Sequence, residues 1–558
     1  MWGPWRTGEV RVVVCPGAWL VVVGDCRADD HRVRADLRAA VHDNRWEPIT
    51  RWPGSYLAIV LAGGRLTAFA DLAGQHPLFF HPGPPFVFGT SAQATARRAG
   101  LGTRPDPVHV LADVFCAAAP VLTRGRTPLT GVRRLEAGES LRVSASGSWH
   151  VEPPSTPTGP STPDWPGRLR AALSEAVAGR RAPLSADFSG GLDSTSVAFL
   201  AARDRAEPLP VFTYHHPDAP ADDLAHALRN ATPDLHLEVV HGTAATLPYQ
   251  DLAAAPTTDL PDFAATTHAR NRLRLARAAA AGSRVHLGGE GADALLVAPP
   301  AYLGDLARAG RVGALLDDTR AWARLRDDSP TRVLNRALRL GRTPMTRALR
   351  TLSHQLRHGH ARQPEWVDAI AWWPAPGLEA RWLTASARRT LADFVGDHAA
   401  TAPDVAPTGV ADLTAYHDLR RSGAVQRQLS ELARPYGVWP QAPFLDNDVI
   451  RVCTERPAHQ RAEGTAFKPL LRAALRDLVP EHALARRTKG NYLGEEYRGV
   501  RAAAPALRAA LRASPLADLG LVEPAEVVAS VDRAAAGAGA PFPALNRLLA
   551  YDLWLARL

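Results

Sequence analysis

Short apolar runs separated by glycine turns fill the N-terminal part of the chain. The runs 56–61 and 65–70 flank Gly63 and Gly64, and this arrangement predicts a β-hairpin. Both faces of the first run are apolar, as in a sheet that is covered on two sides. We therefore expect residues 1–151 to form an antiparallel sandwich.

Proline, serine and threonine recur through residues 152–167, where they cannot build a core and instead predict a stiff linker. Beyond this linker, apolar strands alternate with segments of helical periodicity such as 265–281. The alternation predicts a parallel sheet with right-handed crossovers over residues 168–558, and thus an α/β protein of two domains. Its strands are expected near residues 185–188, 211–214, 237–240 and 284–287.

The length and composition of the chain fit this division. Its 558 residues, 46% hydrophobic and 22% charged, suit a globular protein of about two to four domains. The apolar stretch 12–23 is interrupted by Pro16 and Gly17, which predicts two strands in place of a signal sequence or a membrane span. We expect a cytoplasmic protein with reduced, mostly buried thiols at Cys15, Cys26, Cys116 and Cys453.

Residues 183–195 are the most informative stretch, and they read Pro-Leu-Ser-Ala-Asp-Phe-Ser-Gly-Gly-Leu-Asp-Ser-Thr. A short apolar strand ends there in a glycine loop, and an apolar helical pattern starts directly behind it. Gly190 and Gly191 allow close approach of the backbone. Ser189 and Ser194 add hydroxyls beside the N–H groups of the new helix. The stretch therefore predicts a phosphate-binding loop.

The loop also contains Asp193, which would repel a bare phosphate. Its carboxylate fits only where a hard cation such as Mg²⁺ bridges it to phosphate oxygens, so we expect the loop to bind a metal–nucleotide. The sequence differs from the G-x-x-x-x-G-K-[ST] loop that holds a transferring γ-phosphate. An ordinary glycine turn is the alternative, and an aspartate at the mouth of a helix argues against it.

A second glycine-rich loop follows the fourth predicted strand, over residues 288–293, and reads Gly-Gly-Glu-Gly-Ala-Asp. Ligands of open parallel sheets bind beyond the carboxyl ends of the strands. The ends of the first and fourth predicted strands are therefore the two candidate ligand sites.

Arginine supplies almost all of the positive charge behind the net charge of +9, because Lys468 and Lys489 are the only lysines. Because arginine stands in place of lysine almost everywhere in this chain, we expect that the two remaining lysines are needed as lysines, for their compact point charges.

An arginine-rich helical insertion is expected over residues 309–364. Eight arginines and no acid lie between Arg332 and Arg362, with Arg336 and Arg339 at helical spacing from the first. Such a surface could bind an acidic peptide or RNA. A solvated helical face in an arginine-rich protein explains it equally well, so we rank nucleic-acid binding low.

Six motifs follow one another along the chain: Asp71…Gly74…Pro77-Leu78, Ser189–Ser194, Gly289–Asp293, Pro443–Asp446, Phe467-Lys468 and Arg487-Thr488-Lys489-Gly490. In this order they resemble the asparagine synthetase B family over nearly the whole chain. In that family the N-terminal domain is a class II glutamine amidotransferase sandwich of the Ntn type. The C-terminal domain is an AMP-forming ATP pyrophosphatase that adenylates a carboxylate. The synthetase motifs are specific, whereas the N-terminal ones are weak individually.

The resemblance implies that the two loops bind ATP with Mg²⁺. Asp193 and Asp293 would hold the metal from two strand ends. Physics supports this pairing, because neighbouring carboxylates repel unless a cation lies between them. The residues that would contact the nucleotide are Ser189, Gly190, Gly191, Asp193, Ser194 and Gly289.

Two further residues match catalytic positions of the family. Glu290 matches the residue that handles the attacking amine, as a general base or as an orienting anion. Lys489 matches the lysine that neutralises charge on the α-phosphate or the acyl-adenylate, a role worth about 3 kcal/mol for one well-placed donor in a dry site. The plain alternatives are a solvated Glu290 and a surface Lys489.

The N-terminal domain departs from the family. A glutaminase of this type needs an N-terminal cysteine, whose own α-amine serves as the base. This chain begins with Met1 and Trp2, while Cys15 and Cys26 lie within or beside predicted strands. The arginine-glycine-proline-aspartate element that binds glutamine is also missing from the sequence. We therefore expect a sandwich that lacks its nucleophile and an attacking amine that belongs to the substrate.

Among relatives that close an amide within one molecule, the chain most resembles lasso peptide cyclases. These macrolactam synthetases activate an Asp or Glu side chain of a precursor peptide and join it to the peptide's N-terminal amine. They usually work beside a leader-binding protein and a leader peptidase. β-Lactam synthetases are the runner-up, and they are expected to have a tyrosine in place of Glu290. A non-catalytic scaffold and a tRNA-modifying pyrophosphatase are less favoured, because the loops and their carboxylates are intact.

Overall fold

A computed structural model describes the chain at residues 5–154, 164–180, 182–203, 205–401, 409–461, 466–486, 490 and 492–558. Its strands in chain order are β1 (Val10–Cys15), β2 (Ala18–Cys26), β3 (Gly54–Ala62), β4 (Arg65–Phe69), β5 (Phe79–His81), β6 (Val87–Gly89), β7 (Arg133–Arg134), β8 (Ser140–Val143), β9 (Trp149–Glu152), β10 (Leu184–Asp187), β11 (Leu209–His215), β12 (Leu235–His241), β13 (Val285–Leu287) and β14 (Trp439–Gln441).

The α-helices of the same residues are α1 (Asp30–Asp43), α2 (Ala92–Arg98), α3 (Pro107–Phe115), α4 (Trp165–Ala178), α5 (Leu192–Ala202), α6 (Asp222–Asn230), α7 (His268–Ala280), α8 (Ala292–Leu296), α9 (Tyr302–Arg308), α10 (Val312–Arg326), α11 (Pro330–Gly341), α12 (Met345–Arg357), α13 (Ala385–Thr401), α14 (Val410–Leu432), α15 (Asn447–Thr454), α16 (Ala458–Arg461), α17 (Pro469–Ala474), α18 (Glu481–Leu484), α19 (Leu493–Arg512), α20 (Pro515–Asp518), α21 (Pro524–Ala535) and α22 (Phe542–Leu555). Within these described residues, no helix combines the length and apolar character needed to cross a membrane.

The N-terminal part contains two antiparallel sheets. The larger has the strand order β1-β2-β3-β4-β8-β9, and the smaller has the order β6-β5-β7. β3 and β4 pair on either side of Gly63 and Gly64, with Leu61 opposite Leu66, as the hairpin signal predicts. β3 is buried along most of its length, because α1 covers one face of the larger sheet and the smaller sheet packs on the other. The predicted antiparallel sheet is confirmed.

The C-terminal part is built on a five-stranded sheet in the order β12-β11-β10-β13-β14. All neighbouring strands in it run parallel, and β13 lies directly beside β10 with Leu287 opposite Ala186. The four predicted strands are therefore present, and α7 occupies most of the segment predicted as helical. No local pattern predicts β14, because three residues that include Pro440 give no readable alternation.

The region 309–364 contains α10, α11 and α12. Apolar side chains of α11 at Val333, Ala337 and Leu340 are buried in a large helical core, while Arg339 on the same helix is exposed. These helices therefore have the amphipathic character of a layer that covers a core on one side and meets water on the other.

A buried ion cluster joins the antiparallel sheet to the parallel one. Asp446, the last residue of the segment 443–446, is 1% exposed. Its Oδ1 accepts a hydrogen bond from Nη2 of Arg180 at 2.8 Å, and its Oδ2 accepts one from Nη2 of Arg27 at 2.5 Å. Arg27 follows β2 and Arg180 precedes β10. Asp25 lies 3.3 Å from Arg180 and completes a cluster of alternating charges.

Asp446→Asn should lower the melting temperature strongly, because two buried guanidinium groups lose their shared counter-charge. Breaking a buried ion pair by removing one partner costs about 3–5 kcal/mol. Circular dichroism during heating measures the shift. Asp448→Asn is the matched control, since that side chain is 41% exposed and pairs with its neighbour Arg451, and it should have little effect. Equal shifts in the two variants would contradict a structural role for the cluster.

Candidate functional site

The first loop of the site connects β10 to α5 at the carboxyl edge of the parallel sheet. The hydroxyl oxygens of Ser189 and Ser194 lie 2.9 Å apart, and the N–H of Gly191 donates to Ser189 Oγ at 3.3 Å. Gly190 has a φ of +71°, and a Cβ there would lie 2.7 Å from backbone atoms of α6. Glycine is therefore required, and the loop is closed by its own hydroxyls at the N-terminus of α5.

The second loop follows β13 and leads into α8. A Cβ on Gly289 would lie 2.7 Å from the backbone nitrogen of Ser194 and 2.8 Å from Cβ of Asp193. Only glycine permits this approach, so the two loops are in direct contact. The structure thus brings together the residues that sequence analysis places at the nucleotide: Ser189, Gly190, Gly191, Asp193, Ser194, Gly289 and Asp293.

A buried lysine links the two loops. Lys468 is 1% exposed, and its Nζ lies 2.5 Å from Asp193 Oδ1 and 2.6 Å from Asp293 Oδ1. The Asp193 side chain is 19% exposed and that of Asp293 is 54% exposed, so the ammonium lies on the buried side of the pair. The cation that two neighbouring carboxylates require is therefore supplied by the protein itself.

Sequence reasoning missed this role of Lys468. The Phe467-Lys468 motif and the scarcity of lysine marked the residue, but no local pattern shows that it reaches a carboxylate 275 positions away. Its backbone adopts φ 50° and ψ 54°, in the left-handed region, directly before α17. A non-glycine residue held there costs about 1–3 kcal/mol and persists only where the surrounding structure enforces it.

Of the two predicted catalytic residues, Glu290 has a described position and Lys489 does not. Glu290 is half-buried between the glycine of the second loop and α8, one short turn before Asp293. Lys489 lies outside the described residues, and its role stays a prediction. The flanking residues Arg486 and Gly490 are both hydrogen-bonded to α6.

An ion cluster anchors the sheet directly behind the loops. Asp187, the last residue of β10, accepts a hydrogen bond from Nε2 of His286 at 3.1 Å and pairs with Arg274 of α7. The other ring nitrogen of His286 lies 2.9 Å from Ser185 Oγ. Burial alone would raise the pKa of Asp187, but Arg274 and His286 outweigh it and hold that pKa well below its usual range. The cluster ties β10, β13 and α7 together.

One family model matches most of the chain. It is described as asparagine synthase, and it covers residues 168–556, which include both loops and Lys468. The chain belongs to the asparagine synthase family. No curated protein matches the chain. As a member of the asparagine synthase family, the protein is an ATP-dependent ligase that forms amide bonds.

The loop carboxylates fit the Mg²⁺ that typically accompanies ATP in the asparagine synthase family. Asp193 and Asp293 offer hard oxygen donors, and Mg²⁺ is usually bound by one or two carboxylates together with substrate phosphates. Among the residues with described positions, no cluster of three or more His, Cys, Asp or Glu could hold a metal. Of the two carboxylates, that of Asp293 is the more exposed to solvent.

The described thiols of the N-terminal sheets have the character of core residues. Burial raises the pKa of the Cys26 thiol, and it raises the pKa of Cys116 to about 12. A nucleophilic cysteine needs the opposite shift. Cys15 is buried at the end of β1, while Met1 and Trp2 lie outside the described residues.

Within the described part of the chain, four of the eight arginines between positions 332 and 362 form ion pairs with carboxylates. The pairs are Arg332–Glu365, Arg336–Asp368, Arg362–Asp368 and Arg357–Asp393.

Lys468→Met should lower the melting temperature and make it more sensitive to Mg²⁺. Without the ammonium the two carboxylates repel each other, so a divalent cation gains affinity for the folded state. At about 5 mM Mg²⁺ the variant should gain at least about 2 °C more than the wild type. Differential scanning calorimetry measures both, and Lys468→Arg, which keeps the charge, should respond like the wild type. The same gain in wild type and methionine variant would contradict the idea that this lysine holds the carboxylates together.

Asp187→Asn should destabilise the protein, because Arg274 loses its counter-charge. The folded pKa of Asp187 lies below the value of about 3.9 for an unfolded aspartate. Its contribution is therefore present above pH 4 and is lost as the pH falls from about 4 toward the folded pKa. The difference in melting temperature between wild type and variant should be smaller at pH 3 than at pH 5. A difference that is equal or larger at pH 3 would argue against this ion pair.

Proposed function

We propose that the protein is a macrolactam synthetase of the lasso peptide cyclase type. It activates an Asp or Glu side chain of a precursor peptide with ATP and joins that carboxyl to the peptide's N-terminal amine. The observation that carries the proposal is a contrast between the two parts of the chain. The two phosphate-type loops of the C-terminal part contact each other directly. In the N-terminal part Cys15 and Cys116 are buried, and Cys26 is half-buried at the end of β2 with a thiol pKa that burial raises. An amide ligase without ammonia from glutamine needs an amine from its substrate.

The first half-reaction is adenylation. The substrate carboxylate attacks the α-phosphorus of ATP, the bond from that phosphorus to the oxygen bridging to the β-phosphorus breaks, and pyrophosphate leaves. The hydroxyls of Ser189 and Ser194 and the N–H of Gly191 are placed to hold the leaving pyrophosphate. Gly190 and Gly289 let the backbone approach it closely.

Asp193, Asp293 and Lys468 determine the charge around the phosphates during adenylation. Mg²⁺, held by Asp193 and Asp293, would neutralise the phosphate oxygens. Lys468 fixes both carboxylates, so neither has to be drawn into place when the nucleotide binds. Lys489 is assigned the role of neutralising the negative charge that develops on the α-phosphate.

The second half-reaction closes the ring. The N-terminal amine attacks the acyl carbon, the bond from this carbon to the AMP oxygen breaks, and AMP leaves. Glu290, in the second loop, accepts the proton that the amine loses. Because this amine is freed only when the leader is removed, the proposed partners are a leader-binding protein and a leader peptidase.

Residues 1–151 are, on this proposal, an amidotransferase-like domain without its nucleophile. The linker predicted over residues 152–167 overlaps β9 at Glu152 and α4 from Trp165, and its residues 155–163 lie outside the described part of the chain. A small-molecule ligase of the β-lactam synthetase or asparagine synthetase type is the alternative. Glu290 favours the cyclase over a β-lactam synthetase, for which a tyrosine is expected at this position.

The direct experiment uses the full chain with ATP, Mg²⁺ and a precursor peptide cleaved of its leader. Pyrophosphate should be released, and mass spectrometry should find a peptide lighter by one water. Asp193→Ala should show neither result and serves as the control. Pyrophosphate release with a free amino acid and not with peptide would favour the small-molecule ligase. Release of phosphate alone, or of nothing, would contradict adenylation.

Glu290→Gln should separate the two half-reactions. Glutamine cannot accept a proton, so ring closure should fall by about 10²- to 10⁴-fold, while the acyl-adenylate still forms and then hydrolyses. Rapid-quench analysis of adenylate and cyclic product in one reaction measures both. Equal loss of the two species would mean that Glu290 acts in binding ATP or the metal and not in handling the amine.

A further inference from the structure

The first turn of α6 touches the phosphate-type loop from the side. A Cβ on Gly190 would lie 2.7 Å from the carbonyl oxygen of Asp223 and 2.7 Å from the backbone nitrogen of Ala227. Backbone packed against backbone leaves no room for adjustment, so α6 and the loop hold each other in position.

The carboxylate of Asp223 binds a distant segment of the chain. It accepts a hydrogen bond from the N–H of Gly490 at 3.1 Å, from the hydroxyl of Tyr492 at 2.7 Å and from Nη2 of Arg486. A Cβ on Gly490 would lie 2.1 Å from Asp223 Oδ2, so the backbone at Gly490 lies directly against the carboxylate. One acidic side chain therefore binds Arg486, Gly490 and Tyr492.

Among the described residues, Asp223 is the carboxylate that pairs with Arg486. The Arg486 side chain is 2% exposed, and its Nε and Nη1 have no hydrogen-bond acceptor among the described residues. A buried guanidinium needs a counter-charge, and Asp223 supplies it. Burial and the neighbouring Asp223 carboxylate also raise the pKa of the Tyr492 phenol, so its hydroxyl keeps the proton that it donates.

We propose that Asp223 is a positioning residue for adenylation, which fixes the ends of the 486–492 segment relative to the phosphate-type loop. The inference rests on the proposed function, in which Lys489 neutralises charge at the α-phosphate. Residues 487–489 lie outside the described residues, but the anchors on both sides of them are described. Asp223 thus acts through the segment and through α6, without touching the nucleotide itself.

Asp223→Asn keeps the size of the side chain but removes its charge and one of its acceptor oxygens. In ATP–pyrophosphate exchange with the leader-free peptide, kcat should fall about 100-fold, as expected when a catalytic group is displaced by about 1 Å. The KM for ATP should change by less than about threefold, because the lost interaction belongs to the transition state. Asp222→Asn is the matched control, since Asp222 is the exposed neighbour on the same helix, and its exchange should equal that of the wild type.

Two further measurements test the positioning role of Asp223. Tyr492→Phe removes one donor to Asp223 and should lower kcat by about fivefold, which is the effect of one lost hydrogen bond. Amide hydrogen exchange read by mass spectrometry should show faster exchange at Gly490 in Asp223→Asn and not in Asp222→Asn. This readout needs no enzymatic activity, and it remains informative if the wild type itself shows no pyrophosphate exchange, an outcome that would overturn the proposed function.

Exchange kinetics in Asp223→Asn within about threefold of the wild type would overturn the positioning role. So would a fall in Asp222→Asn as large as that in Asp223→Asn, because the effect would then belong to α6 as a whole. A raised KM for ATP with unchanged kcat would also overturn it, since that result would assign Asp223 to nucleotide binding.

Discussion

The ammonium of Lys468 lies between Asp193 and Asp293, and the geometry of the nucleotide site depends on that shared charge. A fully buried lysine is stable only when its charge is compensated. Asp193 lies in the first turn of α5 and Asp293 in the first turn of α8, so compensating the lysine also ties the two loops together. The same contact leaves Asp293 partly open to solvent, where a metal and phosphates can reach it.

The rest of the fold supports this arrangement through contacts of two kinds. Glycines at the loop crossings, Gly190 and Gly289, allow backbones to meet where any side chain would collide. Buried ion clusters around Asp187 and Asp446 tie the elements behind the loops to one another and to the antiparallel sheet. The N-terminal sheets are therefore part of the scaffold of the site, whether or not they contribute chemistry to it.

Local sequence patterns predicted the parts of the structure that depend on residues near one another in the chain. The Gly63-Gly64 hairpin follows from turn chemistry, and the loop after β10 follows from glycine and hydroxyl spacing beside an apolar strand. The antiparallel character of the N-terminal sheets and the parallel character of the C-terminal sheet follow from the change of pattern near the linker. These features arise from residues that are close together in the sequence.

The missed features depend on contacts between distant residues. Lys468 reaches Asp193 across 275 positions, and Asp223 reaches Gly490 across 267. The strand β14 has only three residues, too few to show an alternation of apolar and polar positions, and it forms by pairing with β13. Lysine scarcity was a usable signal for Lys468, whereas Asp223 carried none, since one aspartate in a helical first turn is ordinary.

In the proposed reaction a substrate carboxylate attacks the α-phosphorus of ATP. A precursor peptide whose acceptor Asp or Glu side chain carries ¹⁸O in both oxygens tests this attack. After turnover by the full chain, AMP should contain one ¹⁸O and pyrophosphate none, with the other ¹⁸O retained in the amide. Label recovered in inorganic phosphate, or AMP without label, would contradict attack of the carboxylate on the α-phosphorus.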